Sequence, residues 1–101
     1  MVECLVIRID EIVWKAEILE KIERKHGVSE AEVEEILLGT KKVYRVERGN
    51  VKGEDLYQAL GKTASGRHLS IFFVFSKQER AALPISARDM DSRERKRYEG
   101  K

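Results

Sequence analysis

The chain has 101 residues, of which 42% are hydrophobic and 38% charged, and its formal net charge is +2. This size suits one domain, and the apolar content is sufficient to offset the entropy of folding, which excludes a disordered protein. The lone Cys4 cannot form an internal disulfide, and no segment resembles a signal peptide or reaches the ~20 apolar residues of a membrane-spanning helix. We therefore expect a single cytosolic domain over residues 1–101, with no membrane segment.

The charge is unevenly distributed along the sequence. Residues 1–59 carry 10 Lys and Arg against 13 Asp and Glu, whereas residues 60–101 carry 10 against 5. A basic C-terminal half favours a polyanion or an acidic protein as the partner of that half, but solvated charged surfaces are also common. Charge alone therefore does not decide the function.

The N-terminal part of the sequence predicts one strand followed by two helices. Residues 2–9 have the apolar and β-branched content of a strand. Apolar residues then recur at helical spacing up to about His26, and Gly27 suits the left-handed end of a helix; these apolar residues are Trp14, Ile18, Leu19 and Ile22. Ser29 and Glu32 form a capping box that starts a second helix, which ends at Gly39. The two helices together predict an αα-hairpin.

From residue 42 onward the pattern predicts extended segments. β-Favouring residues at 43–46 precede a polar break at 49–53, which we expect to be a flexible loop. Strands over Leu56–Thr63 and Arg67–Phe75 are joined by a three-residue turn, which is typical of a hairpin. The second of these strands is apolar on both faces, and this predicts a central place in the sheet.

A last strand and a charged helix complete the predicted fold. Pro84 lies within the strand Arg80–Ser86 and cannot donate a ladder hydrogen bond, which favours a sheet edge or a bulge. Asp91 and Glu94 resemble a second capping box, which starts a helix that reaches about Tyr98. The predicted class is α+β, with an N-terminal strand and the αα-hairpin packed on a small antiparallel sheet of three to four strands, and a C-terminal helix.

Three segments of the sequence carry a family resemblance. The first is Trp14 with Lys25-His26-Gly27-Val28 and Ser29; the second is Leu60-Gly61-Lys62-Thr63-Ala64-Ser65-Gly66-Arg67, similar to G-x-T-x-x-G-R; the third is Ile85-Ser86-Ala87-Arg88 with Glu94-Arg95 and Tyr98, similar to I-S-A-R and E-R-x-x-Y. In their order and spacing they resemble the BrnT family of toxins from type II toxin-antitoxin systems. The resemblance implies a RelE-like fold, an RNA substrate and neutralisation by a cognate antitoxin. A toxin-antitoxin hetero-oligomer and a homo-oligomer both fit this prediction. No cluster of His, Cys, Asp and Glu has the spacing of metal ligands, and we expect no cofactor.

Four residues are candidates for the cleavage of RNA. Metal-independent cleavage requires a base for the 2′-OH proton, an acid for the 5′ oxygen and cations near the phosphorane. His26 is the acid/base candidate because imidazole titrates near neutrality, and capping of a helix end is its alternative role. Lys25, Arg67 and Arg88 are the candidates for binding phosphate. The predicted topology brings the two arginines to one end of the sheet. The alternatives are that Arg67 is a surface residue at the end of the hairpin and that Arg88 pairs with Asp89 or Asp91.

The last predicted helix offers a basic surface for RNA. Arg93 and Arg97 are its candidate phosphate contacts, and Tyr98 is a candidate for stacking or proton transfer. The alternative is a solvated charged helix. His68 falls on the other side of its strand from Arg67 and is predicted to lie at the surface or in packing. Trp14 and the phenylalanines at 72, 73 and 75 are predicted to be core residues.

Departures from the family pattern leave two further functions open. The chain has Lys15 where the family commonly has an acidic residue, Ile22 where it often has Asn, residues 56–58 without the usual Arg, and Pro84 in place of a β-branched residue. A catalytically inactive module of the same fold, which binds an antitoxin-like protein or nucleic acid, is the first alternative. A housekeeping domain whose basic tail binds a protein is the second.

Overall fold

The computed structural model describes residues 4–47 and 54–100. Its elements in chain order are β1 (Glu11–Ile12), α1 (Ala16–His26), α2 (Glu30–Leu38), β2 (Lys42–Glu47), β3 (Glu54–Lys62), β4 (His68–Ser76), β5 (Ala81–Asp89) and α3 (Ser92–Glu99). The predicted α+β class is confirmed. The polar break predicted at 49–53 lies outside the described residues.

The strands form one five-stranded mixed sheet in the order β1-β5-β4-β3-β2. Strand β1 is parallel to β5, and all other neighbours are antiparallel. The prediction of three to four antiparallel strands is therefore wrong, because a two-residue strand has no periodicity that a sequence pattern can reveal. The hairpin of β3 and β4 and the central place of β4 are confirmed.

The predicted strand at the N-terminus is also wrong within the described residues. Leu5 forms a single bridge to Val43 of β2, and regular pairing begins only at Glu11 on the opposite edge of the sheet. The segment between these points crosses one face of the sheet, where Ile9 is buried in the core. Its apolar residues thus cover one face of the sheet and do not add a strand to it. The composition of the segment is the same in both cases and does not distinguish between them.

Both predicted N-terminal helices are confirmed, and they pack on this same face. Ser29 and Glu32 form the expected capping box, with hydrogen bonds of 3.2 and 2.9 Å. The buried stripe of α2 includes Ile36, which lies so close to Gly61 of β3 that a Cβ there would fall 2.5 Å from the Ile36 Cγ2 atom. Close packing of α2 on β3 therefore requires a glycine at position 61. Trp14 packs against this core and donates its indole N–H to Glu34, as expected of an anchor.

Helix α3 covers the opposite face of the sheet. It begins at the predicted capping box of Asp91 and Glu94. Glu94 contacts Gln58 and Ser70, which alternate with the core residues of β3 and β4 and so face away from α1 and α2. The face of the sheet that α3 covers depends on the residue at which β5 ends. The periodicity of the sequence does not specify that residue.

Strand β5 differs from its prediction in length. It continues to Asp89, so Arg88 lies within the strand and not after it, as predicted. The register with β4 shifts after Phe72, where Ser86 pairs with Phe72 and Pro84 with Phe73. This irregularity confirms the bulge that Pro84 suggested. None of the helices in the described part of the chain is long and apolar enough to cross a membrane.

Candidate functional site

Two polar clusters lie at one end of the sheet, on opposite faces. The Arg67 cluster, on the face of α1 and α2, consists of Arg67, Glu32 and Asp89 with the carbonyl groups of residues 26 and 27. The Arg88 cluster, on the face of α3, consists of Arg88, Glu94, Gln58 and Ser70.

In the first cluster, Arg67 joins the sheet to the end of α1. Its Nε and Nη2 donate to the two carboxylate oxygens of Asp89 at 2.8 and 3.2 Å, and its Nη1 donates to Glu32 at 3.1 Å. The remaining donors reach the carbonyl oxygens of Gly27 at 2.8 Å and His26 at 3.0 Å. These bonds use all five N–H groups of the guanidinium. Arg67 therefore fixes the position of the helix end and is saturated within the protein.

The ionisation of these groups reflects the same contacts. The hydrogen bond from Arg67 holds the pKa of Asp89 below its usual value, with a further contribution from the nearby His26. For Glu32 the backbone N–H of Ser29 is the main cause of a lowered pKa, and Arg67 adds to it. Both carboxylates thus remain charged in the folded protein well below neutral pH.

The side chains of Lys25 and His26 border a cleft next to this cluster. The cleft has a volume of about 270 Å³, and Lys21, Ile85 and Ser86 complete its lining together with Ile22 of the core. Both Lys25 and His26 are exposed. The bond from Arg67 to the His26 carbonyl therefore orders a backbone whose two side chains stay accessible to a ligand.

In the second cluster, Arg88 forms a bidentate ion pair with Glu94. The two N–H···O distances are 2.7 and 2.9 Å, and the guanidinium lies 5.7 Å from the centre of the Phe72 ring. Glu94 is buried and also accepts hydrogen bonds from Gln58 and Ser70 at 2.7 and 3.3 Å. Burial raises the pKa of Glu94, but hydrogen bonds from Arg88, the Asp91 backbone and Gln58 together outweigh it and lower that pKa.

The two arginines do not meet at one point. Leu69 pairs with Asp89, and Ser70 with Arg88, which places Arg67 and Arg88 near the same end of the sheet. Successive residues of a strand point to opposite faces, so Arg67 reaches α1 and α2 whereas Arg88 reaches α3. The expectation that both surround the same phosphate is corrected by this geometry. Arg67 does lie beside His26, as expected.

The predicted RNA-binding residues of α3 lie in a surface of cations and aromatic rings. Arg93 is exposed, and the Arg97 guanidinium lies 5.0 Å from the centre of the Tyr44 ring. Tyr98 meets the ring of His68 edge-on, with 5.8 Å between their centres, and Lys42 lies 5.7 Å from the Tyr98 ring.

The sequence analysis did not identify Lys42 and Tyr44 as part of this surface. Their contact with α3 depends on which face of the sheet that helix covers. Their alternate spacing along one strand was the available signal. Within residues 4–47 and 54–100, no group of three His, Cys, Asp or Glu side chains could hold a metal ion.

Comparison with known families gives one finding. A family model described as the ribonuclease toxin, BrnT, of type II toxin-antitoxin systems matches residues 14–94. The match includes Lys25, His26, Arg67 and Arg88, and it ends at Glu94 before the last turns of α3. No curated protein matches the sequence.

Proposed function

Because the chain belongs to the BrnT family of ribonuclease toxins of type II toxin-antitoxin systems, we propose that it is a cytosolic endoribonuclease neutralised by an antitoxin protein. The observation that carries this proposal is the accessible pair of Lys25 and His26, which projects from a helix end held by Arg67. A proton-transfer group and a cation on an ordered backbone are what phosphodiester cleavage by side chains requires.

The proposed reaction uses the side chains of the cleft and no metal. His26 takes the proton of the ribose 2′-OH, the 2′ oxygen bonds to phosphorus, and the bond to the 5′ oxygen breaks. Lys21 and Lys25, which form no ion pair among the described residues, stabilise the charge on the phosphorane. Water supplies the proton to the 5′ oxygen, and a 2′,3′-cyclic phosphate is the product.

The other predicted residues have supporting roles in this proposal. Arg67 is a positioning residue, since its donors are already bound within the protein. Arg88 holds α3 on the sheet through its ion pair with Glu94. Arg93, Arg97 and Tyr98 hold the RNA chain where it passes around the same end of the sheet onto the α3 face. Phosphate contacts by arginine and stacking on an aromatic ring hold an RNA chain largely without regard to its base sequence.

Cleavage of a labelled single-stranded RNA by purified protein in excess EDTA tests the proposal. We expect a cyclic phosphate product, and His26→Ala to lower the rate on the order of 100-fold or more, the usual contribution of a positioned proton-transfer group. Glu23→Ala is the matched control, because Glu23 is an exposed residue of the same helix that does not line the cleft, and this variant should retain activity within a few-fold. Loss of cleavage in EDTA, or an active His26→Ala protein, would contradict the mechanism.

A binding module without catalysis is the second candidate function. The saturation of Arg67 and the bidentate pairing of Arg88 favour it, because neither guanidinium is free to grip a phosphate. Salt-dependent RNA binding by the native protein with no cleavage under any condition would favour this function over the ribonuclease.

A further inference from the structure

A cavity of about 440 Å³ lies near the end of the sheet that is opposite to the Arg67 cluster. Its floor is apolar and consists of Leu5 with Tyr57 and Phe75, whose rings meet edge-on with 6.2 Å between their centres. Phe75 and His68 are at the two ends of β4, so the cavity and the Arg67 cluster are separated by roughly 25 Å at ~3.3 Å per residue. The cavity and the cleft share no lining residue, so they are distinct features.

The rim of this cavity is basic. Arg8, Arg45, Lys77 and Arg80 line it, and within the described residues no acidic side chain does. Two of the rim arginines share one carboxylate, because Asp10 lies 2.9 Å from Arg8 and 3.7 Å from Arg80. Arg45 lies 3.8 Å from Asp55. Among the described residues, four cations line the rim and two carboxylates form ion pairs there, which is a surplus of positive charge.

Arg80 fixes the wall of the cavity. It has a φ of 51°, the only positive φ of a non-glycine residue in the described ranges, and such residues adopt this conformation rarely. In that conformation its carbonyl oxygen accepts the N–H groups of Asp10 at 2.8 Å and Glu11 at 3.3 Å. These bonds anchor the segment that crosses the sheet and carries Leu5 and Arg8, so the cavity is built into the fold.

We propose that this cavity binds an acidic segment of a protein partner, with one apolar side chain on the aromatic floor and carboxylates against the rim. The inference rests on the proposed function, in which the partner is the antitoxin. The cavity is large enough to bury one anchor side chain of the partner. Complementary charge around it would orient the partner and increase the rate of association. Val6 is fully exposed beside the cavity and adds apolar surface to its edge.

The burial of the floor favours a peptide over RNA. Tyr57 is 3% exposed and Phe75 is 6% exposed, so neither presents an open ring face. Stacking of a nucleic acid base requires such a face, whereas an aliphatic or aromatic side chain needs only an apolar depression. A partner bound here lies away from Lys25 and His26, so substitutions at the rim should separate partner binding from cleavage.

The test is a titration of ¹⁵N-labelled full-length protein with a synthetic acidic peptide, followed by amide chemical shifts. The peptide has twelve residues, with Asp and Glu around one Leu and one Phe; a control peptide has Lys in place of the acids, and oligouridylate is the nucleic acid probe. We expect saturable shifts at Leu5, Arg45 and Tyr57 with the acidic peptide alone, and none at His26. Absence of these shifts, equal shifts with the lysine peptide, or the same shifts with oligouridylate would overturn the proposal.

Charge-reversal variants provide the second measurement. Lys77→Glu and Arg45→Glu should weaken binding of the acidic peptide roughly tenfold or more, whereas Lys96→Glu, an exposed control on α3, should leave it unchanged. Lys77→Glu should still cleave RNA at the native rate. If the three variants bind alike, or if Lys77→Glu loses binding and cleavage together, the proposal fails. If the native protein cleaves no RNA, the ribonuclease function fails, and the peptide titration still decides the role of the cavity.

Discussion

Glu32 and Glu94 occupy the same place in two copies of one local motif. Each is the glutamate of a capping box, and each forms an ion pair with an arginine at the same end of the sheet. Their surroundings differ, because the Glu94 side chain is 10% exposed and that of Glu32 is 25% exposed. Glu94 also receives hydrogen bonds from Gln58 and Ser70, whereas the remaining donors of Arg67 go to Asp89 and to helix carbonyls.

The same local motif can thus stabilise the fold in one place and position a site in another. Removal of one member of a buried, fully bonded ion pair leaves its partner charged and desolvated, which costs several kcal/mol. The Arg67–Glu32 pair, whose side chains are 27% and 25% exposed, should contribute at most about 1 kcal/mol, because water can replace the lost partner. We therefore expect the Arg88 cluster to contribute more than the Arg67 cluster to the free energy of unfolding. The Arg67 cluster should mainly affect the position of Lys25 and His26 at the cleft.

The largest expected difference concerns the two glutamates themselves. Glu94→Ala should lower the free energy of unfolding by about 3 kcal/mol, since Arg88, Gln58 and Ser70 all lose an acceptor. Glu32→Ala should cost only about 1 kcal/mol, for the loss of the cap and of a partly exposed ion pair. Urea denaturation followed by circular dichroism measures both values. Equal losses would show that burial does not separate the two clusters.

Substitution of Arg67 should mainly affect RNA cleavage, whereas substitution of Arg88 should mainly affect stability. Arg67→Ala should lower kcat for RNA cleavage about tenfold with little change in KM, because the Lys25–His26 backbone is no longer held. Arg88→Ala should lower stability by about 2–3 kcal/mol, since Glu94 is left without its main partner. Steady-state kinetics at matched fractions of folded protein distinguish the two effects. A change in KM alone for Arg67→Ala would indicate direct RNA contact instead of positioning.

Acid should destabilise the protein through these same carboxylates. The pKa values of Glu32, Glu94 and Asp89 are lowered on folding, so the folded state binds fewer protons than the unfolded state. Their contribution is complete above the unfolded values, 4.5 for Glu and 3.8 for Asp, and is lost as the pH falls through the lower folded values.

Urea denaturation between pH 7 and pH 3 should therefore show a decline that begins near pH 4.5. The decline should be shallower in Glu94→Gln, which removes one of the titrating groups. Glu99→Gln, which removes an exposed carboxylate of α3, should follow the native curve. A native stability that rises below pH 4.5 would contradict the assignment of these shifts.

The features that sequence reasoning predicted correctly are set by residues a few positions apart. Both capping boxes, the glycine at the end of α1 and the hairpin before Arg67 each require only local geometry, which the residue types specify. The partners of Arg67 come from α1, α2 and β5, and those of Glu94 from β3, β4 and β5. No local pattern contains these contacts, so the candidate residues were predictable and their grouping was not.

The N-terminal segment shows the same limit in a different form. Its apolar residues predict burial correctly, as Ile9 shows, but a strand and a segment crossing a sheet bury such residues equally well. The choice depends on where the segment is anchored, and its anchor is the carbonyl oxygen of Arg80, about 70 residues away in sequence. The RelE-like character of the fold stays a prediction.

The smallest expected effect concerns the glycines that end the helices of the two clusters. Gly27 and Gly100 have φ values of 62° and 76°, and an added Cβ would meet no atom within 4 Å at either position. The cost of alanine is therefore purely conformational, about 1 kcal/mol. Gly27→Ala should lower the free energy of unfolding by this full amount, because Gly27 lies between two helices. Gly100→Ala should lower it by less, because the end of α3 can fray.

The cleavage kinetics of the two glycine variants should distinguish the role of the Arg67 cluster from that of the Arg88 cluster. The Gly27 carbonyl accepts a hydrogen bond from Arg67, so Gly27→Ala shifts the backbone next to His26 and should lower kcat a few-fold. Gly100→Ala should leave kcat unchanged, because the end of α3 lies on the opposite face. If Gly27→Ala costs the expected stability but cleaves RNA at the native rate, the placement of Lys25 and His26 by the helix end is not what the reaction depends on.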